Sequence, residues 1–139
     1  MEGRKKSYEE LEGIRLLLGK ELSLTSITVI LPIRTVSEAN VREHWAVKAK
    51  RAKAQRDAAF LMLRRYRRTF SGTKLHVILT RIGKRELDSD NLARSFKAVR
   101  DGIADAFGTD DGADRWTWEY RQEKGEYSVR VDVKGGGKQ

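Results

Sequence analysis

Cysteine is absent from the 139 residues, and proline occurs once, at Pro32. The first absence removes disulfides, thiolate nucleophiles and zinc-thiolate sites, and it suits a chain kept in a reducing cytosol. No apolar run approaches the roughly 20 residues that span a bilayer. Met1 to Gly13 is charged where a secretory signal would need an apolar core, so a soluble cytoplasmic protein is expected. Negative charge is also in deficit: 29 lysines and arginines face 20 acids, a net charge of +9 with a pI near 10.0. Such a field attracts phosphate backbones by counterion release and acidic membrane surfaces by the same Coulomb attraction, so its sign names only a partner class.

What is present suits one globular domain. The chain can bury a single core but is too short for two, and hydrophobic residues make up 39% against 35% charged. Ser7 and Glu10 form a capping box ahead of Leu11, Ile14, Leu17 and Leu18, which predicts a short helix stopped by Gly19. Ile27, Val29 and Leu31 alternate as a strand ending at Pro32. After a loop over 33–39, Asn40 and Glu43 cap a long alanine- and arginine-rich helix, with Trp45, Phe60 and Leu63 in its packed stripe, that reaches about Arg68.

Leu75, Val77 and Leu79 mark a second strand running to Gly83. Leu92, Phe96, Val99, Ile103 and Phe107 then step by four, three, four and four, which predicts one continuous helix starting at the Asp88–Asn91 cap. Trp116, Trp118 and Tyr120 alternate before Lys124-Gly125, and Tyr127, Val129, Val131 and Val133 alternate after it, which predicts a terminal hairpin. A two-residue loop there sets Trp118 opposite Val131 and Tyr120 opposite Val129. The glycine-rich end, 135–139, is expected to be disordered.

The predicted fold is therefore α+β: a single two-layer domain of order α-β-α-β-α-β-β, with helices on a mixed sheet of about four strands. A parallel pairing of the first two strands through the long helix is allowed by crossover handedness.

The charges are segregated. Between Asn40 and Thr69 lie ten cations, among them Lys48, Lys50, Arg51, Lys53 and Arg56, against Glu43 and Asp57. A helix that is merely solvated usually mixes signs, so this one is a candidate DNA-binding face. Half of the acids fall between Lys84 and Lys124, including Asp88, Asp90, Asp101, Asp105, Asp110 and Asp111. Clustered carboxylates repel unless hard cations join them, and magnesium is the natural candidate. Read as one helix, 90–105 carries Asp90, Arg94, Lys97, Asp101 and Asp105 on the side opposite its apolar stripe. Taken singly, Asp88 or Asp90 also reads as a helix cap, Asp110-Asp111-Gly112 as an ordinary turn, and Arg94 and Lys97 as partners in surface ion pairs. His44 and His76 read as structural.

The run Leu87-Asp88-Ser89-Asp90-Asn91-Leu92, followed by Lys97 to Phe107 and then Asp110-Asp111, resembles the RusA family of phage- and prophage-associated Holliday-junction resolvases. The resemblance covers 21–134, with Pro32, Asn40 and Trp45 similar to the family's proline, asparagine and aromatic, and it leaves 1–20 as an additional helical extension. It implies a homodimer that binds four-way DNA junctions and makes paired nicks with magnesium, for which manganese can substitute. By motif position it implies metal ligands at Asp88, Asp90, Asp110 and Asp111, with catalysis at Asp88, Asp90 and Asp111. The family commonly carries a catalytic lysine four residues after its second aspartate, where this chain has Arg94; Lys97 lies one turn on and reaches for the same phosphate. Arg94 and Lys97 are thus implied as catalytic and DNA-binding, with Asn91 supporting a carboxylate. The alternative is a catalytically weak or silent branched-DNA-binding protein of the same fold.

Overall fold

The computed structural model describes residues 25–37 and 44–137; the helix expected at Ser7–Leu18 and the Asn40–Glu43 cap lie outside them. Strand β1 (Thr25–Leu31) leads to helix α1 (Trp45–Leu63), a single 3-10 turn (Arg64–Tyr66) and strand β2 (Lys74–Gly83). Helices α2 (Ser89–Ser95) and α3 (Lys97–Phe107) follow, then strands β3 (Trp116–Lys124) and β4 (Ser128–Gly137). The four strands form one mixed sheet in the order β1-β4-β2-β3. The α+β class predicted from the sequence is the one found.

Alternation dictates which face each strand buries. Leu75, Val77 and Leu79 of β2 stand beside Trp116, Trp118 and Tyr120 of β3, while Val77 and Leu79 also stand beside Val133 and Val131 of β4. On that face Leu75, Val77, Leu79, Val129, Val131 and Val133 are buried, and they meet Leu92, Phe96, Val99, Ile103 and Phe107 from the helices. The apolar stripe read from the spacing is thus the stripe that packs.

The hairpin expected at Lys124-Gly125 does not form. Strand β3 pairs parallel with β2, and β4 pairs antiparallel with β2 on its other side and with β1. The link between β3 and β4 instead passes the end of β2, where Gly125 N donates to Gly83 O at 3.1 Å. The pairing of β1 with β2 is likewise replaced, because β4 lies between them. The cause is common to both: a period of two assigns faces and carries no information about neighbours.

Two further expectations change. The helix over 88–107 is broken at Phe96, whose φ of −97° and ψ of 2° end α2 and begin α3. Phe96 is fully buried and stacks on Tyr120 with ring centroids 5.7 Å apart, so packing on β3 accompanies the break. The tail expected to be disordered from residue 135 is strand through Gly137. Gly135 makes that possible, since a Cβ there would lie 2.5 Å from the Phe70 ring.

Helix α1 packs on α3 at very short range, and Gly102 is the reason. A Cβ at that position would come within 2.3 Å of Arg56 O and 2.8 Å of the Ala59 Cβ. Gln55, buried in α1, donates from Nε2 to Arg34 O at 3.0 Å and ties the helix to the segment after β1.

Propensity alone makes Gly102→Ala stabilising by about 1 kcal/mol in a helix interior. The close approach reverses the sign: overpacking is expected to lower unfolding stability by about 1–3 kcal/mol, read by urea denaturation, and a stabilised variant would refute the α1–α3 contact.

Candidate functional site

The Asp110–Asp111 turn is held onto the sheet by two indoles. Trp116 Nε1 donates to Asp110 O at 2.9 Å and Trp118 Nε1 to Asp111 O at 3.0 Å, and the two rings stack with centroids 4.8 Å apart. Arg115 braces the same loop, donating to Thr73 O, Phe70 O and the Thr109 hydroxyl. The two tryptophans are neighbours on one face only because β3 is extended, so strand geometry sets the position of the turn.

Lys97, at the start of α3, reaches this turn. Its Nζ lies 3.0 Å from Asp101 Oδ1 and 3.1 Å from Asp111 Oδ2. Arg100 stands behind: Nη1 donates to the Tyr120 hydroxyl, and the buried Nε makes no hydrogen bond and lies 3.7 Å from Asp111 Oδ2. Burial works against ionising Asp111, yet the Lys97 hydrogen bond and charge, with Arg100 adding to them, hold its carboxyl below the usual range. Lys97 is held above the ordinary lysine value, first by Asp101 and then by Asp111. Near neutral pH the group is therefore an ammonium facing two carboxylates.

Two clefts meet at Asp101. One of about 410 Å³ is lined by Asp101, Asp105, Asp110 and Asp111 together with Arg56. The other, of about 420 Å³, runs between α1 and the α2–α3 break and presents Lys48, Arg94 and Lys97. Carboxylates therefore gather on one side of Asp101 and cations on the other, a juxtaposition that can hold a phosphate next to hard oxygen donors.

Asp88 and Asp90 lie at the start of α2 and line neither cleft. Asp88 caps α2: Oδ1 accepts from Asn91 N and Oδ2 from Asn91 Nδ2, each at 2.9 Å, so Asn91 supports this carboxylate. Asp90 is exposed in the first turn of α2. Leu87, the residue before the cap, exchanges hydrogen bonds with the Gln122 side chain, whereas Asp111 hangs from Trp118. Those two anchors are four residues apart on β3, on the order of 13 Å. Among the described residues no three His, Cys, Asp or Glu side chains converge as a metal-binding group.

Magnesium nevertheless suits the chemistry of the donors. It takes hard oxygens and commonly needs only one or two carboxylates, because substrate phosphates and water complete its shell. Asp111, partly buried beside the acidic cleft, meets that description, and Asp110 and Asp101 line the same cleft.

The basic helix is partly neutralised by acids on itself and on α3. Lys53 pairs with Asp57 at 2.7 Å, and Arg56 pairs with Asp105 across to α3. Lys48, Lys50 and Arg51 complete the cationic run of α1. Trp45, expected in the packed stripe, is 75% exposed. His44 caps α1 by accepting from Ala46 N, and His76 pairs with Glu119 on β3, so both are structural as read. From the sequence, Asp101 belongs to the acidic cluster but is not named as a site residue, and Arg100 and the two indole donors are left out. Asp101 had a signal, four residues after Lys97; the others depend on β3 lying beside β2.

No family model matches the chain. An uncharacterized protein of Xylella fastidiosa is 36% identical to it over 100 residues, and the match covers 63% of this chain. The chain spans 61% of that relative's length. Among the described residues no helix is long and apolar enough to cross a membrane.

The depressed Asp111 carboxyl supports stability above its unfolded value near 3.9, and that support is lost as pH falls through the folded value. Lys97→Met removes the main opposing cation, so Asp111 is expected to titrate at higher pH in the variant, followed by carbon-13 NMR of the carboxyl. An unchanged midpoint would mean that Lys97 does not engage it.

Proposed function

We propose that this chain is a magnesium-dependent endodeoxyribonuclease of the RusA type, acting as a homodimer on branched DNA such as four-way junctions. The observation that carries the proposal is the contact of Lys97 with Asp111 at the boundary of an acidic and a basic cleft. Phosphodiester hydrolysis needs a cation for the phosphate charge next to carboxylates able to hold a divalent ion, and both needs are met within one side chain's reach.

Asp111, with Asp110 beside it, would hold the ion, and Asp88 and Asp90 are the further ligands that the motif implies. The chemistry an ion supplies there is activation of water and stabilisation of the leaving 3′ oxygen. The chain's own groups do the rest. A lysine held protonated serves as a cation rather than a base, so Lys97 neutralises the phosphate charge. Lys97 thus takes the part that the family pattern gives to the position of Arg94, while Arg94 and Lys48 bind flanking phosphates across the basic cleft. Arg100 keeps Asp111 ionised and oriented. Lys50, Arg51, Lys53 and Arg56 grip duplex arms, which makes affinity fall steeply with salt.

One observation favours a second reading, a junction-binding protein without cleavage: among the described residues no three carboxylates converge, and both Asp88 oxygens are taken by Asn91. This reading keeps tight binding of branched DNA and yields no magnesium-dependent product.

Cleavage of a synthetic four-way junction separates the two. With magnesium, Lys97→Met and Asp111→Asn are each expected to cut about a hundredfold or more slowly than wild type, and Arg94→Met less than tenfold more slowly. Undiminished cutting by Asp111→Asn would overturn the proposed site, and binding without any product would select the second reading.

A further inference from the structure

Among the described residues, Trp45 belongs to no buried cluster. Its side chain is 75% exposed, while Trp116 is buried against Phe107 and Trp118 is partly buried on Trp116. Among the described residues its ring neighbour is His44, tilted with centroids 5.4 Å apart. Tryptophan offers a large rigid apolar face, and one left open to solvent on a helix is available to a ligand.

Its place on α1 indicates what that is. Trp45 opens the helix, and Lys48, Ala49, Ala52 and Gln55, three, four, seven and ten residues on, line the basic cleft with Arg94 and Lys97. Those offsets lie on one helical stripe, so Trp45 stands at the outer end of the wall that carries the cleft's cations. An indole face next to ammonium and guanidinium groups fits a nucleobase with its plane uncovered, attached to a phosphate backbone.

We infer that Trp45 stacks on an unpaired or unstacked base at the branch of the DNA while the cations of the basic cleft hold the adjoining phosphates. This rests on the DNA-directed reading above but not on cleavage. It assigns α1 a means of telling branched DNA from continuous duplex that the phosphate contacts cannot provide, because every duplex offers the same phosphates. A paired base inside a duplex is stacked on both sides and presents no face to the indole.

The test is binding without metal, in EDTA, to a fully paired duplex and to the same duplex carrying several unpaired bases. Trp45→Ala is expected to weaken binding of the second DNA about tenfold, the size of one lost base-aromatic stack, and to change binding of the paired duplex by less than about twofold. Trp45→Phe, which keeps an aromatic face, is expected to recover most of the loss. Wild-type tryptophan emission should become shielded from acrylamide in the complex with unpaired bases, and this shielding should be missing in Trp45→Ala. Equal losses on both DNAs, or an indole still open to acrylamide in the complex, would overturn the stacking role. Failure of the wild type to bind either DNA would overturn the DNA-directed reading together with it. Loss of cleavage with the binding pattern intact would strike only at the nuclease assignment. Because Trp45 is exposed, the melting temperature of both variants should match wild type, which separates a binding defect from a folding one.

Discussion

Strand β2 is hydrogen-bonded along both edges, to β3 in parallel and to β4 in antiparallel fashion, and it buries residues on both faces. A strand in that position allows its neighbours little freedom. Once Val77 stands between Trp118 and Val133, the two faces of the sheet are set for every strand, and the helices have only one apolar surface to cover. The parallel pairing of β3 obliges the chain to return from the end of β2 to its start before pairing again, and α2, α3 and the 108–115 loop make that return.

That return path is what creates a site. The loop leaving α3 has to enter β3 beside the start of β2, where the indoles of Trp116 and Trp118 are already turned toward the helices. Hydrogen bonds from those indoles hold the backbone of Asp110 and Asp111, and the carboxylate of Asp111 then falls within reach of Lys97 and Arg100 on the last helix. Close packing of α1 on α3 through Gly102 brings the basic helix alongside, so that Arg56 meets Asp105 and Lys48 faces Lys97 across a cleft. Opposite charges are thereby divided between two adjoining recesses, although the residues that line them come from separated parts of the chain.

Much of the core was legible from spacing. The stripe Leu92, Phe96, Val99, Ile103 and Phe107 is buried as its periodicity requires, and the four strands fall where alternation places them. The break at Phe96 was invisible because a one-residue disturbance leaves the apolar positions unchanged; only the stacking of Phe96 on Tyr120 reveals it. Trp45 was misplaced for the reverse reason, since an aromatic at helical spacing looks apolar whether or not another element comes to cover it. Of the candidate site, Asp110, Asp111, Lys97 and Arg94 were named from motif order. Arg100 could not be, because its significance depends on Tyr120, a residue twenty positions away on another element.

Composition and periodicity by themselves determined that this chain makes one basic α+β domain, which residues the strands and the 92–107 stripe bury, and which segments carry the positive and negative charge. Those properties are local, since they depend on side chains a few positions apart on a backbone of known pitch. Only the tertiary structure decided that β3 and β4 part around β2, that Lys97 rather than Arg94 meets Asp111, and that Asp88 and Asp111 are anchored at different points along β3. Partner choice and register are settled by the competition of whole surfaces for burial, and no short-range pattern encodes its outcome.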